Sequence, residues 1–166
     1  MVNAVGMATW STFAETAPEL AERAKARFDA HRHHLLATLR RDGSPRLTGT
    51  ETQFLLGELW LGMMQDSLKA LDLRRDPRYA LHSAPIDQDM VDGDAKLAGR
   101  AVELTDPDQF ATVAAALAEG AEMEPPGEYH LFRLDVSEVS VVRPVGEELV
   151  IDLWTEGDGV RQIRRR

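Results

Sequence analysis

Leu59-Trp60-Leu61-Gly62-Met63-Met64-Gln65-Asp66-Ser67-Leu68-Lys69-Ala70-Leu71-Asp72-Leu73-Arg74-Arg75-Asp76-Pro77 is the stretch on which the reading of this chain turns. An apolar strand ends at Met63 or Met64, and a polar turn follows. Asp66 or Ser67 has the chemistry of an N-cap for the short helix after it. The helix is expected to lay Leu68 and Leu71 on one side and to stop before Pro77. Open N–H groups at its start, the Ser67 hydroxyl and the Lys69 ammonium two residues on make a phosphate seat. The plain alternative is a capped helix carrying one exposed lysine, and this stretch alone does not choose between them.

Upstream, Leu35-Leu36-Ala37-Thr38-Leu39-Arg40 reads as a strand, and Arg41-Asp42-Gly43-Ser44-Pro45 as a tight turn in which Asp-Gly supplies positive φ. A second strand over 46–56 alternates side chains, Gly57-Glu58 turns the chain, and 59–63 is the third strand. Three strands joined by short turns predict an antiparallel meander. Earlier still, Thr16-Ala17-Pro18-Glu19 has the form of a capping box, and Leu20, Ala24 and Phe28 recur at helical spacing. The expectation is a helix over about 17–31, with Trp10 and Phe13 packed near its start.

Downstream, a fourth strand is expected over 78–84, a solvated acidic loop over 85–93 containing Asp87, Asp89 and Asp92, and a fifth strand over 94–104. The alternate aspartates lack the downstream glutamate and glycine of a calcium loop. Asp106-Pro107-Asp108-Gln109 opens a helix with the apolar stripe Phe110, Val113, Ala114 and Leu117, ending at Gly120. After the loop Pro125-Pro126-Gly127, strand returns over 129–142, with a bend near Ser137-Glu138, and again over 149–154. Residues 156–166 read as a tail, solvated or docked. The sum is a mostly β chain of six or seven antiparallel strands with helices at its edges, one domain over 1–166 with an N-terminal helical segment over 1–33. No βαβ alternation appears, and short strands with turn signals between them point to a closed or partly closed barrel.

With 166 residues the chain is long enough for a real core, and its net charge of −9 speaks against a nucleic-acid partner. Four arginines cluster at the C-terminus, Arg161, Arg164, Arg165 and Arg166. Lysine is rare, three against sixteen arginines, which draws attention to Lys69. No apolar run reaches the roughly 20 residues of a membrane helix. The first ten residues do not read as a signal peptide, and a cytoplasmic location is the expectation. With no cysteine, disulfides and thiolate chemistry are excluded.

Leu36-Ala37-Thr38-Leu39, Asp42-Gly43-Ser44-Pro45, Leu59-Trp60-Leu61 and Ser67-Leu68-Lys69-Ala70 through Leu73-Arg74-Arg75-Asp76-Pro77 together resemble the pyridoxamine 5′-phosphate oxidase-like superfamily, the FMN-binding split barrels that include flavin and deazaflavin oxidoreductases. The resemblance covers about 31–104. It implies a split β-barrel and a homodimer holding FMN or coenzyme F420 at the subunit interface. By position, Ser67 and Lys69 would contact the phosphate, and Met63, Met64 and Gln65 would border the phosphate and the ring edge. Thr48 and Thr50 would lie near the isoalloxazine. The protein would orient the flavin, which carries the electrons to or from a small molecule. This chain has Leu68 where many relatives have arginine, Met63 where many have threonine, and Gln65 where many have a basic residue. Asp66 adds an anion, repelling a phosphate a few ångströms away by roughly 1 kcal/mol in water, unless its carboxylate turns back to cap the helix. The resemblance leaves open a non-catalytic flavin- or haem-binding module.

His31-Arg32-His33-His34 is read as a helix end meeting solvent rather than a metal site, because no carboxylate or thiolate stands at ligand spacing. His33 or His34 entering a cofactor groove stays open. His82 is expected in a core or interface, and Met63-Met64 as packing. Plain burial is expected of Trp154, with stacking on a ring or closing a dimer as alternatives. No catalytic residue is assigned.

Overall fold

Two short helices open the chain, α1 (Trp10–Thr16) and α2 (Pro18–Asp29). Thr9 caps α1, its hydroxyl accepting from the Thr12 N–H. The capping box expected at Thr16 does not form. Thr16 is the last residue of α1, and its hydroxyl donates to the Phe13 carbonyl. The N-cap of α2 is instead Ala17, with Pro18 in the first turn, where its missing N–H costs nothing. In the computed structural model, residues 6–84, 89–119 and 128–166 are described. Asp87, Gly120 and the Pro125-Pro126-Gly127 loop lie outside them.

The remaining elements run β1 (His33–Leu39), β2 (Pro45–Glu51), β3 (Gln53–Leu55), β4 (Glu58–Met64), α3 (Leu68–Arg75), β5 (Arg78–His82), β6 (Asp94–Glu103), α4 (Pro107–Glu119), β7 (Tyr129–Val145), β8 (Glu148–Thr155) and β9 (Gly159–Arg165). All the described pairs are antiparallel. They run in the order β2-β1-β5-β6-β7-β4-β3, with β8 and β9 branching from β7. The strand expected over 46–56 breaks at Thr52. Its first part pairs with β1 and its last with β4, at opposite ends of the sheet path. The expected meander is therefore interrupted: β2 and β4 approach one another without pairing. That gap is the split of the barrel.

β7 is long because it serves two neighbours, β4 through its first half and β8 through its second. Opposite Ala98 and Gly99 it carries one extra residue, Ser137, at the bend expected there. The tail expected over 156–166 is a correction. Gly157 and Gly159 take positive φ in a turn, and β9 zips onto β8.

The core fills the barrel with Leu36, Leu59, Leu61, Leu97, Phe132, Leu134 and Val136, each 2 % exposed or less. α1 closes one side: Trp10 packs edge-on against Phe54, and Phe13 against Trp154, whose expected plain burial is what is found. α4 covers the opposite surface, where Val113 packs with Trp60 and Leu131 and Asp106 accepts from the Gln109 N–H as cap. No helix among the described residues is long and apolar enough to cross a membrane.

Candidate functional site

β4 ends as expected, and its alternation explains the placement of its two methionines. Leu59, Leu61 and Met63 point into the core, Met63 at 2 % exposure, and Met64 points out at 67 %. The Met63 side chain thus packs rather than lines a surface. Gln65 and Asp66 are exposed in the turn, with the Gln65 N–H bonded to the Glu128 carbonyl at 3.3 Å. Asp66 adopts φ of 59°, a left-handed conformation that Asp tolerates. Its carboxylate makes no hydrogen bond among the described residues, so it does not cap the helix.

Ser67 is the N-cap of α3 by backbone conformation, but its side chain makes no capping bond. Its Oγ is buried without a hydrogen-bond partner. The first-turn N–H groups of Leu68, Lys69 and Ala70 have no acceptor within the helix, as at any helix start. A buried hydroxyl beside three open N–H groups lacks the oxygen acceptor that would satisfy all of them.

Lys69 completes the corner. Its Nζ donates to the Gly49 carbonyl at 2.8 Å, tying the start of α3 to β2. Burial pulls its ammonium below the ordinary lysine range, and Glu51 pulls it back up. That contact also orients β2. Gly49 presents its carbonyl to the unpaired edge, and in an antiparallel strand its N–H points the same way. A Cβ on Gly49 would meet nothing within 4 Å, so the surface over it is open. Thr48 and Thr50 face the other side. Thr48 bonds the Leu36 carbonyl at 3.4 Å, and Thr50 is buried. The structure thus brings Ser67, Lys69 and the β2 edge together at one corner, with Met64 and Gln65 at its rim and Met63 and Thr50 behind it.

α3 is locked in place by a residue the sequence does not advertise. The expected apolar side is reversed: Leu68 and Leu71 are exposed at 60 % and 39 %, and Asp72 is buried with Ala70 and Leu73. Asp72 accepts from Thr38 Oγ1 at 2.9 Å, Arg46 Nε at 2.6 Å and an Arg75 amino group at 3.0 Å. Burial pushes its carboxyl up, and the hydrogen bonds from Arg46, Arg75 and Thr38 overcome that and hold it below the usual carboxylate range. Arg75 also bonds the Leu39 carbonyl. Helix α3 is therefore bolted to β1 and β2, which fixes where its N–H groups point.

Sequence reasoning also passed over His130. It pairs with Met63 across β4 and β7. Its Nδ1 lies 2.9 Å from Glu103, and Glu103 is 3.0 Å from Arg74 of α3. Its Nε2 is buried without a partner. The signal was available: period-two alternation puts His130 on the face of Phe132, Leu134 and Val136. The expected helix-end histidines are a further correction. The helix stops at Asp29, and His33 and His34 belong to β1, His34 inside it. His82 lies on β5, 3.3 Å from Asp94. A depression of about 350 Å³ lined by Trp60, Leu104, Asp108, Gln109, Thr112 and Val113 contains none of the expected site residues.

An antiparallel split barrel with an uncapped helix start after β4 is thus the class this chain defines. The family model described as pyridoxamine 5′-phosphate oxidase matches residues 20–143, and the chain belongs to that family. No curated protein matches it. Among solved structures, it is similar to a pyridoxamine 5′-phosphate oxidase-related, FMN-binding protein of Nostoc punctiforme, at 17 % identity and TM-score 0.63 over 93 % of this chain and 97 % of that one. A heme binding protein of Mycobacterium smegmatis matches at 17 % identity and TM-score 0.61 over 87 % of each chain. PhzG of Burkholderia lata, in complex with tetrahydrophenazine-1-carboxylic acid, matches at 15 % identity and TM-score 0.64 over 91 % of this chain and 93 % of that one. At these identities the likeness is one of fold.

The donors present suit the phosphate of a flavin, while the Asp66 carboxylate, which does not cap the helix, sets a like charge beside it. Ser67 Oγ, the α3 N–H groups and the Lys69 ammonium are donors converging on one corner, one of them buried and unpaired.

Proposed function

We propose that this chain binds FMN or coenzyme F420 as a homodimer, with the cofactor phosphate on the start of α3, and acts as an oxidoreductase on a small molecule. The observation that carries this reading is the buried, unpartnered Ser67 hydroxyl at an uncapped helix start. A phosphate oxygen supplies the acceptor that the hydroxyl and the N–H groups lack. Lys69 holds the phosphate's charge, and the Asp72 network keeps the seat aligned. The open surface over Gly49 leaves room for a ring beside the β2 edge. When bound, the flavin supplies the electron chemistry.

A second reading, a non-catalytic flavin- or haem-binding module, is favoured by the thin charge of the seat, where Leu68 and Gln65 add no cation, and by the likeness to a heme binding protein. Titrating purified protein with FMN, F420 and haem, followed by absorbance and fluorescence, separates the two, and turnover with reduced cofactor then divides enzyme from carrier. Lys69→Ala is expected to weaken FMN or F420 by roughly ten- to a hundredfold, the scale of one charge-assisted contact. Unchanged affinity in this variant places the phosphate elsewhere.

A further inference from the structure

Beside α2, the core-side face of β7 to β9 carries arginines that the flavin seat does not use. Arg143, Val150 and Arg164 are successive cross-strand partners there, and so are Val141, Asp152 and Gln162. Directly paired residues put their side chains on the same face of a sheet. α2 reaches onto that face, where Arg23 Nη1 donates to Asp152 Oδ2 at 2.7 Å and Gln162 Nε2 to Asp152 Oδ1 at 2.8 Å. Arg27, four residues after Arg23, is its neighbour on the helix surface and stands 3.4 Å from Asp92. A β carbon at Gly93, the residue after Asp92, would lie 3.0 Å from Arg143 Cβ. Arg23, Arg27 and Arg143 therefore converge from α2 and β7, with Asp92 and Asp152 beside them.

Two of these guanidinium groups are incompletely satisfied. Arg27 Nη1 and Arg143 Nε are buried and have no hydrogen-bond partner among the described residues. Asp92 is near Arg27 but not aligned to bond it, and its side chain is 65 % exposed. Asp152 lies 4.0 Å from Arg143 Nε, beyond bonding distance, and is already held by Arg23 and Gln162. Burial pushes the Asp152 carboxyl up, and the hydrogen bonds from Gln162 and Arg23 overcome that and hold it below the usual carboxylate range. A charged donor out of water without an acceptor is costly. Three cations meet two anions here, which leaves one positive charge uncompensated on a chain of net charge −9.

Two open donors and one surplus positive charge have a definite complement. It is a monoanion with two acceptor oxygens, a carboxylate. A phosphate dianion overshoots the charge. Val145, two residues beyond Arg143 on the same face, is 40 % exposed and offers an apolar surface at the rim. We propose that Arg27 and Arg143 bind the carboxylate of a small organic acid where α2 meets the end of β7, Arg27 exchanging its loose contact with Asp92 for the ligand. The site goes beyond the flavin reading and shares no residue with the seat at α3.

Benzoate is the probe. Titrated into the full-length protein at constant ionic strength, it is expected to bind saturably and to shift the Arg143 Nε–H resonance in nitrogen–proton correlation spectra. Arg143→Lys keeps the charge, removes that donor and so identifies the resonance; it is expected to weaken benzoate by about tenfold or more. Asp92→Asn removes the competing carboxylate and is expected to strengthen benzoate by about fivefold, a gain that damage to the fold does not produce. Arg161→Gln, on the opposite face through its partner Leu153, is expected to leave binding unchanged. Wild-type protein without saturable binding, normal binding by Arg143→Lys, weaker binding by Asp92→Asn, or an equal loss in Arg161→Gln overturns the proposal. Inorganic phosphate binding more tightly than benzoate overturns it too.

Discussion

His34 faces inward from β1 at 2 % exposure, with its ring edge-on to Phe28 at 5.0 Å and its Nδ1 buried without a partner. Burial depresses its pKa below 6.5, and His31 and His33 add to the shift, with Asp29 opposing them. Below 6.5 the unfolded chain takes up a proton that the folded chain refuses, so folding weakens as pH falls. The loss runs at up to about 1.4 kcal/mol per pH unit and levels off only once the native imidazole titrates. Urea denaturation of wild type and His34→Leu between pH 8 and 5 is expected to show a steeper decline for wild type, and parallel curves would contradict this. No periodicity argument separated His34 from its neighbours, because it sits between the helix expected to end near 31 and the strand expected from Leu35, where β1 has in fact already begun. Asp72 was equally opaque: a charged residue between two leucines reads as surface until Thr38, Arg46 and Arg75 are seen to surround it.

Among the elements, the β6–β7 pair shows how one residue shapes a sheet. A β carbon at Gly99 would stand 1.9 Å from the Asp135 carbonyl oxygen and 2.9 Å from Val136 Cα. Only glycine permits the close approach that the extra residue Ser137 imposes. Gly99→Ala is expected to cost about 3 kcal/mol, as overpacking against backbone does. That corresponds to a fall in Tm of roughly 6–12 °C for a chain of this size; a calorimetric scan reads it directly. The bend itself was visible in the Ser137-Glu138 pair, but its partner glycine was not, since the bulge exists only once β6 lies alongside. Helix α3 teaches a similar lesson. Its start and stop followed from Ser67 and Pro77. The side it buries did not, because a buried salt-bridge network replaced the apolar stripe.

For the whole molecule, Leu35 and Leu47 share one outer face and are exposed at 41 % and 66 %, and the homodimer proposed above is expected to cover them. Leu35→Glu with Leu47→Glu places two carboxylates where each buried leucine is worth roughly 1.5 kcal/mol or more. The dimer dissociation constant is expected to rise about a hundredfold or more, seen as monomer in sedimentation velocity with an unchanged far-UV spectrum. Retention of the dimer in this variant would move the interface to another surface.

Strand periods, the Asp42-Gly43 turn, the helix start at Ser67 and the stop at Pro77 are short-range preferences, written into neighbouring residues and readable from them. They were enough to establish an antiparallel barrel and to point at Ser67 and Lys69. Which strands became neighbours was decided at long range. The crossing at Thr52 and the burial of Asp72 depend on partners many residues away, and the zipping of β9 onto β8 on a sheet already in place. Their free energies arise only after the sheet has closed around them.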